Sequence, residues 1–344
     1  MLKYFKFIYF FVLNFYSNIL CCSIDSLIFG DYFRKSVINK IMKNDNIKKN
    51  IDEIISFIEN KNVDNNKIED SKFDSKMFFL GLDYNFNNSD YEFIKNDTTT
   101  IRDNLQNYKL ISKVDELCLK FKVYITKINN IPCLYFKNFN NEENKVLIFY
   151  HGNTEDIINI LYCKENSTIL HALIGLENNY DVIIPELPGY YLYKSKDRSE
   201  EKIIKDTEEI YNKIKNIYDK ITILGFSIGC YSAINLASYE NSSKINMLIL
   251  MHPFLNIKTA AKHICCCACC VKKRFRNDKN IEKVKCRTAI LSASEDQVIS
   301  CKDAFGLYNI LQNNNINVNL YKYTSFHGLP DLERLYTILK KDEI

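Results

Sequence analysis

Tryptophan is absent from the 344 residues, and neither sign of charge is in strong excess. The first absence accompanies heavy use of Asn, Lys and Ile and reads as compositional drift without mechanistic content. The second is informative. Lys and Arg number 46 against 42 Asp and Glu, a net charge of +4, and the basic residues are interleaved with acids along most of the chain, which excludes a nucleic-acid surface. Hydrophobic residues make up 47% and charged residues 26%, the balance of a folding globular chain. Its length suits one sizeable α/β domain with additions, or two small domains.

Lys3 and Lys6 precede Phe7 to Ile24, a stretch without a charge. A charged start and an apolar run have the form of a signal peptide or of an uncleaved anchor at the short edge of what spans a bilayer. Residues 1–30 are therefore set apart from the fold, and membrane association is expected. Residues 31–111 read as a helical and loop-rich extension. Ile38, Ile41, Met42, Ile51, Ile54, Ile55 and Ile58 recur at helical spacing, and the Asn-, Asp- and Thr-rich text of Asn87–Asp90 and Asn96–Thr100 reads as loop. Asn87, Asn96, Asn166 and Asn241 fit N-x-S/T, as chance alone predicts in so Asn-rich a chain.

The organised region runs from 112 to 344. Cys118–Thr126 and Ile131–Phe136 read as strands of a hairpin turning at Lys127–Asn130. Val146–Tyr150 is a continuous apolar run, the mark of a strand buried on both faces of a parallel sheet. Strand and helix patterns then alternate: a strand at Asp181–Ile184, an amphipathic helix over Glu200–Tyr218, strands at Ile221–Leu224, Met247–Met251, Thr288–Leu291 and Val318–Tyr323, and helices from Lys302 and Leu332. The alternation predicts a doubly wound, mostly parallel α/β sheet with its site at the carboxyl ends of the strands.

Those ends carry the chemistry. Ile221–Leu224 leads into Gly225-Phe226-Ser227-Ile228-Gly229 and a helix rich in small residues, the strand, turn and helix of a nucleophile elbow. His151-Gly152-Asn153 follows another strand. The amides of Asn153 and Ile228 are the expected pair of oxyanion donors, and His151 is read as shaping that loop. An acid is expected after the serine and a histidine last. Glu295 and Asp296 both qualify for the first role, and His327, at the end of the strand closing at Tyr323, is the candidate base.

With His151-Gly152-Asn153, Glu186-Leu187-Pro188-Gly189-Tyr190, Gly225-Phe226-Ser227-Ile228-Gly229, Ser294–Ile299 and His327-Gly328, the chain resembles serine hydrolases of the α/β-hydrolase superfamily. Within it, the chain is most similar to the α/β-hydrolase domain-containing protein 17 group of protein depalmitoylases and their serine-peptidase-like relatives. The resemblance covers roughly 112 to the C-terminus. It implies the α/β-hydrolase fold, Ser227 as nucleophile, Asp296 rather than Glu295 as acid, His327 as base, and Asn153 and Ile228 as oxyanion donors, with no metal or organic cofactor. The chain departs from the group at Leu187-Pro188, where an acidic or aromatic approach to the glycine is common, and in its long N-terminal extension.

A small cysteine-rich insert, 255–286, leaves the sheet near the expected site. Its cluster of Cys265, Cys266, Cys267, Cys269 and Cys270 precedes Lys272-Lys273-Arg274-Phe275-Arg276. Adjacent thiols do not wrap one tetrahedral ion, a second paired knuckle is lacking, and neighbouring cysteines pair poorly as disulfides. S-acylation beside a basic run supplies the two signals that stable membrane attachment needs, and an inert thiol-rich lid is the alternative. The expected activity is cleavage of an ester or thioester in an acylated protein or a lipid, through an acyl-enzyme. A lipase, esterase or peptidase of the same fold and a non-enzymatic membrane adaptor are the rivals.

Overall fold

Two asparagines make the first turn of the sheet. β2 (Phe121–Ile128) and β3 (Ile131–Asn138) pair antiparallel with Ile128 opposite Ile131. Asn129 and Asn130 between them have φ of 49° and 68°. Two consecutive left-handed residues form a two-residue turn whose twist matches the strands, and Asn tolerates that conformation better than other side chains do. The turn is thus tighter than the four residues expected from sequence, and Lys127 and Ile128 belong to the strand. The computed structural model describes residues 78–79, 121–138, 141–162, 180–239, 244–264, 268, 271–328 and 330–341. The segment 1–30, the helical spacing from Ile38 to Ile58, the N-x-S/T sites and Cys265, Cys266, Cys267, Cys269 and Cys270 lie outside the described residues. From the extension, β1 (Phe78–Phe79) pairs with β2 through Phe78 opposite Ile125.

The apolar runs become the sheet. β4 (Lys145–Tyr150), β5 (Tyr180–Pro185), β6 (Lys220–Phe226), β7 (Ile245–Met251), β8 (Arg287–Ala293) and β9 (Val318–Tyr323) are mutually parallel, and β3 joins them antiparallel on β5. The nine strands lie in the order β1-β2-β3-β5-β4-β6-β7-β8-β9. Between β4 and β6 the winding reverses, since β5 lies on one side of β4 and β6 on the other. Crevices at such a reversal, beyond the carboxyl ends of the strands, are where open α/β sheets bind ligands.

Alternate strand residues feed two apolar layers. Val146, Ile148 and Tyr150 pack beneath α2 (Glu200–Ile214), α3 (Gly229–Ala237) and α6 (Cys301–Asn313). Leu147 and Phe149 pack with α1 (Ile157–Tyr162) and α7 (Leu332–Lys341). α2 starts where the sequence places it, with the Ser199 hydroxyl accepting from the Lys202 amide and Glu200 and Glu201 in the positive first turn. It ends at Ile214, short of the expected Tyr218. That side chain turns inward, its hydroxyl donating to buried Asp181 at 2.7 Å beside Tyr135 at 2.8 Å. In the insert, α4 (Ile257–Ile264), α5 (Asn277–Asn280) and a 3-10 turn, Ile281–Lys283, lie between β7 and β8.

Candidate active site

β6 delivers Ser227 to the reversal point. Ile221 to Phe226 are buried, and Ser227 follows directly with φ 54° before α3 begins at Gly229. A non-glycine residue at positive φ is costly, and such residues cluster at functional sites. The surrounding hydrogen bonds hold it there: the Ser227 amide donates to the Met251 carbonyl at 2.9 Å, and beneath the turn the Cys230 thiol lies 3.2 Å from the Gly225 carbonyl. Burial pushes that thiol well above its ordinary value, so it is a neutral donor.

The glycines of the turn serve space rather than backbone freedom. None has positive φ; among the described glycines only Gly189 does, at 87°. A Cβ on Gly229 would meet the Tyr150 carbonyl oxygen at 2.1 Å, and one on Gly225 would meet Cys230 Cα at 2.7 Å. Gly229 therefore lets the head of α3 press against the end of β4, which brings the Ile228 end of the helix to the His151-Gly152-Asn153 loop. Gly152 likewise makes room for the Phe226 ring, 2.7 Å from where its Cβ would stand.

Three of the residues read from sequence meet. His327 Nε2 lies 3.0 Å from Ser227 Oγ, and His327 Nδ1 lies 2.7 Å from Asp296 Oδ2. Asp296 is the carboxylate that turns inward, while Glu295 is exposed. Its Oδ1 accepts the amides of Val298 and Ile299, each at 2.8 Å. Burial alone would raise the Asp296 carboxyl, but hydrogen bonds from His252 and His327 and the Ile299 amide hold it far below the usual carboxylate range. Phe226 stacks on the His327 ring at 5.6 Å and limits its rotation. A carboxylate, an imidazole and a hydroxyl in this series can move the hydroxyl proton to Nε2 without the carboxylate itself being protonated.

His151 takes the structural part expected of it. Fully buried, it places Nε2 2.9 Å from Glu186 Oε1 and donates Nδ1–H to the Gly152 carbonyl at 3.0 Å. Burial would lower its proton affinity, yet hydrogen bonding to Glu186 and to the Gly152 carbonyl raises it above the ordinary histidine value. Glu186 also accepts the Ile157 amide, tying β5 to the head of α1. Tyr190 donates its hydroxyl to Asn153 Oδ1 at 3.0 Å, tying that side chain to the loop after β5.

One residue of the site is absent from the sequence reading. His252, directly after β7, is 1% exposed, and its Nδ1 lies 2.7 Å from the same Asp296 Oδ2 that His327 uses. Its Nε2 lies 2.7 Å from the Tyr323 hydroxyl. The signal for it was available: Met251-His252-Pro253 puts a histidine at a strand end, as His151 and His327 are. Among the described residues His252, Asp296 and His327 are also the one grouping with the donor types of a metal site, their ligand atoms within 4.8 Å of one another. Two imidazole N–H groups sharing one carboxylate oxygen account for that convergence. A cation there would require both Nδ1 atoms deprotonated, moving the His327 proton to Nε2 and removing its capacity to accept one from Ser227.

Beside the series opens a cleft of about 500 Å³ lined by His263, Glu295, Asp296, Gln297 and Phe326. His263 comes from α4 of the insert and reaches the Asp296 carbonyl at 3.0 Å, so the insert forms one wall of the cleft. Phe326, next to His327, is 40% exposed.

No family model matches the chain. It is 24% identical over 197 residues to the alpha/beta hydrolase domain-containing protein aho-3 of Caenorhabditis elegans, across 56% of this chain and 55% of that one, so it spans about half the length of that relative. Solved structures similar to it include the Pyrococcus furiosus esterase Pf2001, with a TM-score of 0.52 at 14% identity over 68% of this chain and 93% of that one. A membrane phospholipase A described as a bacterial virulence factor aligns with a TM-score of 0.50 at 11% identity over 74% of this chain and 94% of that one. These likenesses are of architecture, and with the mostly parallel sheet and its flanking helices they give the conclusion that this chain has the α/β-hydrolase fold.

Proposed function

We propose that this protein is a serine hydrolase that cleaves an acyl ester or thioester through a covalent acyl-enzyme. The observation that carries the reading is the unbroken series Ser227–His327–Asp296, with contacts of 3.0 and 2.7 Å, assembled from three strand ends around a serine at positive φ. Ser227 Oγ attacks the acyl carbonyl as His327 Nε2 takes its proton, and the amides of Asn153 and Ile228 hold the oxyanion. His327 then gives that proton to the departing alcohol or thiol, leaving the acyl group on Ser227. Water, deprotonated by His327, attacks the acyl-enzyme; the acid leaves and Ser227 regains its proton. Asp296 stays ionised throughout, consistent with the strong depression of its carboxyl.

An acylated protein or a lipid is the substrate class we favour. Phe326 on the wall of the cleft is an exposed apolar side chain next to His327, and proteins of this fold named esterase and phospholipase act on acyl bonds. The test is labelling of the full chain with a fluorophosphonate, followed by hydrolysis of a palmitoyl thioester, a glycerolipid and a peptide. Labelling with turnover of the thioester or glycerolipid is the expected outcome. A folded chain that takes no label, or that cuts only the peptide, would overturn the reading.

The same proposal puts the enzyme at a membrane surface. Between Leu255 and Asn277 the chain carries Lys258, Lys262, Lys272, Lys273, Arg274 and Arg276 and no acidic residue. Cys265, Cys266, Cys267, Cys269 and Cys270 lie among them and are proposed as S-acylation sites, one lipid chain with a basic patch being enough for stable attachment. Among the described residues no helix is long and apolar enough to cross a membrane. Replacing the five cysteines by serine in a chain lacking residues 1–30 should move most of the protein from the membrane to the soluble fraction. Undiminished membrane recovery would sink the acylation proposal.

A further inference from the structure

His252 is a buried histidine that the hydrolytic cycle does not use, yet both its ring nitrogens are committed to the site, and its backbone sits at φ 52°. A non-glycine residue stays in that region only where its surroundings over-determine it. The proton positions follow from the partners. An ionised carboxylate only accepts, so Nδ1 of His252 carries a proton and donates it to Asp296. Nε2 of the neutral ring then holds a lone pair, and Tyr323, whose phenol burial keeps protonated, donates to it. Burial also holds His252 below the ordinary histidine value against the pull of Asp296, so the ring stays neutral while His327 cycles. Asp296 thus receives four N–H groups: two amides on Oδ1 and two imidazoles on Oδ2.

We propose that His252, backed by Tyr323, is a positioning residue that sets the proton affinity of His327 by sharing the Asp296 carboxylate with it. A carboxylate stabilises the imidazolium form of the ring it faces. A second N–H on the same oxygen draws off part of that charge, so His327 releases its proton more readily and remains a free base to lower pH. The Tyr323 hydroxyl polarises His252 and strengthens its Nδ1–H as a donor. The titratable groups facing this unit are Asp296 and His327 across the shared oxygen, Tyr323 with Asp331 behind it, and His263 on the Asp296 carbonyl. Phe226 packs edge-on against His252 at 5.6 Å and carries no charge. The catalytic consequence rests on the hydrolytic reading; the proton coupling does not.

The full chain contains five histidines, so labelling with carbon-13 at histidine Cε1 resolves each ring. In the parent, the His252 resonance is expected to show the neutral ring at the ordinary histidine midpoint and above it. In His252→Ala the His327 resonance should titrate about one pH unit higher than in the parent, the scale of one hydrogen bond to a charged group. The acid limb of kcat/KM on a p-nitrophenyl ester should move with it, a loss of about tenfold along the acid limb that vanishes on the alkaline plateau. His252→Asn keeps an N–H near the Nδ1 position and tolerates positive φ, so it should restore the parent midpoint. Tyr323→Phe should shift His327 in the same direction by less. A His252 resonance that titrates near its ordinary value overturns the proposal. So does a rate that falls equally at every pH with the His327 resonance unmoved. Should His252→Ala not fold, an unmoved His327 resonance in Tyr323→Phe is sufficient to reject it. A parent that labels normally by NMR but hydrolyses no ester would reject the hydrolytic reading while the ring midpoints still decide the coupling.

Discussion

Ser227→Ala is expected to remove turnover by about a millionfold, the loss seen when the nucleophile of comparable serine systems is deleted. The hydroxyl makes one contact, to His327 at 3.0 Å, at the rim of the core rather than within it. The fold should therefore survive, and circular dichroism and the unfolding midpoint should match the parent closely. The backbone at φ 54° adds a second, independent expectation. Ser227→Gly relieves the left-handed strain and should be more stable than the parent by about 1 kcal/mol, although the flexible unfolded chain offsets part of that gain. A variant that gains stability as it loses all activity is the signature of strain held for function. Fluorophosphonate labelling and urea unfolding of the two variants beside the parent measure both effects. Residual turnover of Ser227→Ala above about one part in ten thousand would assign the chemistry to another group.

The parts of this site that were legible in the sequence are those that depend on local pattern and on chain order. Val146–Tyr150 stands where its apolar run places it and Val318–Tyr323 where its alternating pattern does, and β6 leads into Ser227 because an apolar strand, a tight turn and a small-residue helix are all local features. His327 was readable because a histidine at the last strand end has few other reasons to be there. Choosing between Glu295 and Asp296 required the loop conformation: the amides of Val298 and Ile299 turn the shorter side chain inward, and one residue earlier the chain faces solvent. His252 was hidden for a different reason. Its partnership with Asp296 exists only because β7 lies between β6 and β8, and that adjacency is set by non-local pairing. The glycines of the elbow were legible as small but not for their true neighbours, since the carbonyl of Tyr150 that Gly229 abuts lies 79 positions upstream.

Asp296→Asn should be the second most damaging change, and for a reason the four N–H groups around the carboxylate dictate. An asparagine offers one accepting oxygen and one donating NH2 to a site that contains only donors. The amides of Val298 and Ile299 cannot change their protons, so the oxygen should remain with them and the NH2 should face the two imidazoles. Both rings then have to present a lone pair at Nδ1. For His327 this sends the proton to Nε2, toward Ser227, where the ring cannot accept the serine proton. The expected loss in kcat is about ten-thousandfold, the effect of the wrong tautomer in other triads. Stability should fall as well, by about 3 kcal/mol at neutral pH, because a buried charge holding two rings is replaced by a half-matched amide. The pH dependence has a definite sign. The folded-state carboxyl of Asp296 is strongly depressed, so its contribution is present above the ordinary carboxylate range and is lost as pH falls toward the folded value. The parent should therefore lose its advantage over Asp296→Asn progressively below about pH 4. Urea unfolding of both chains from neutral pH into that range reads the convergence directly, and a stability gap that stays constant with pH would mean that Asp296 is not held ionised by its partners.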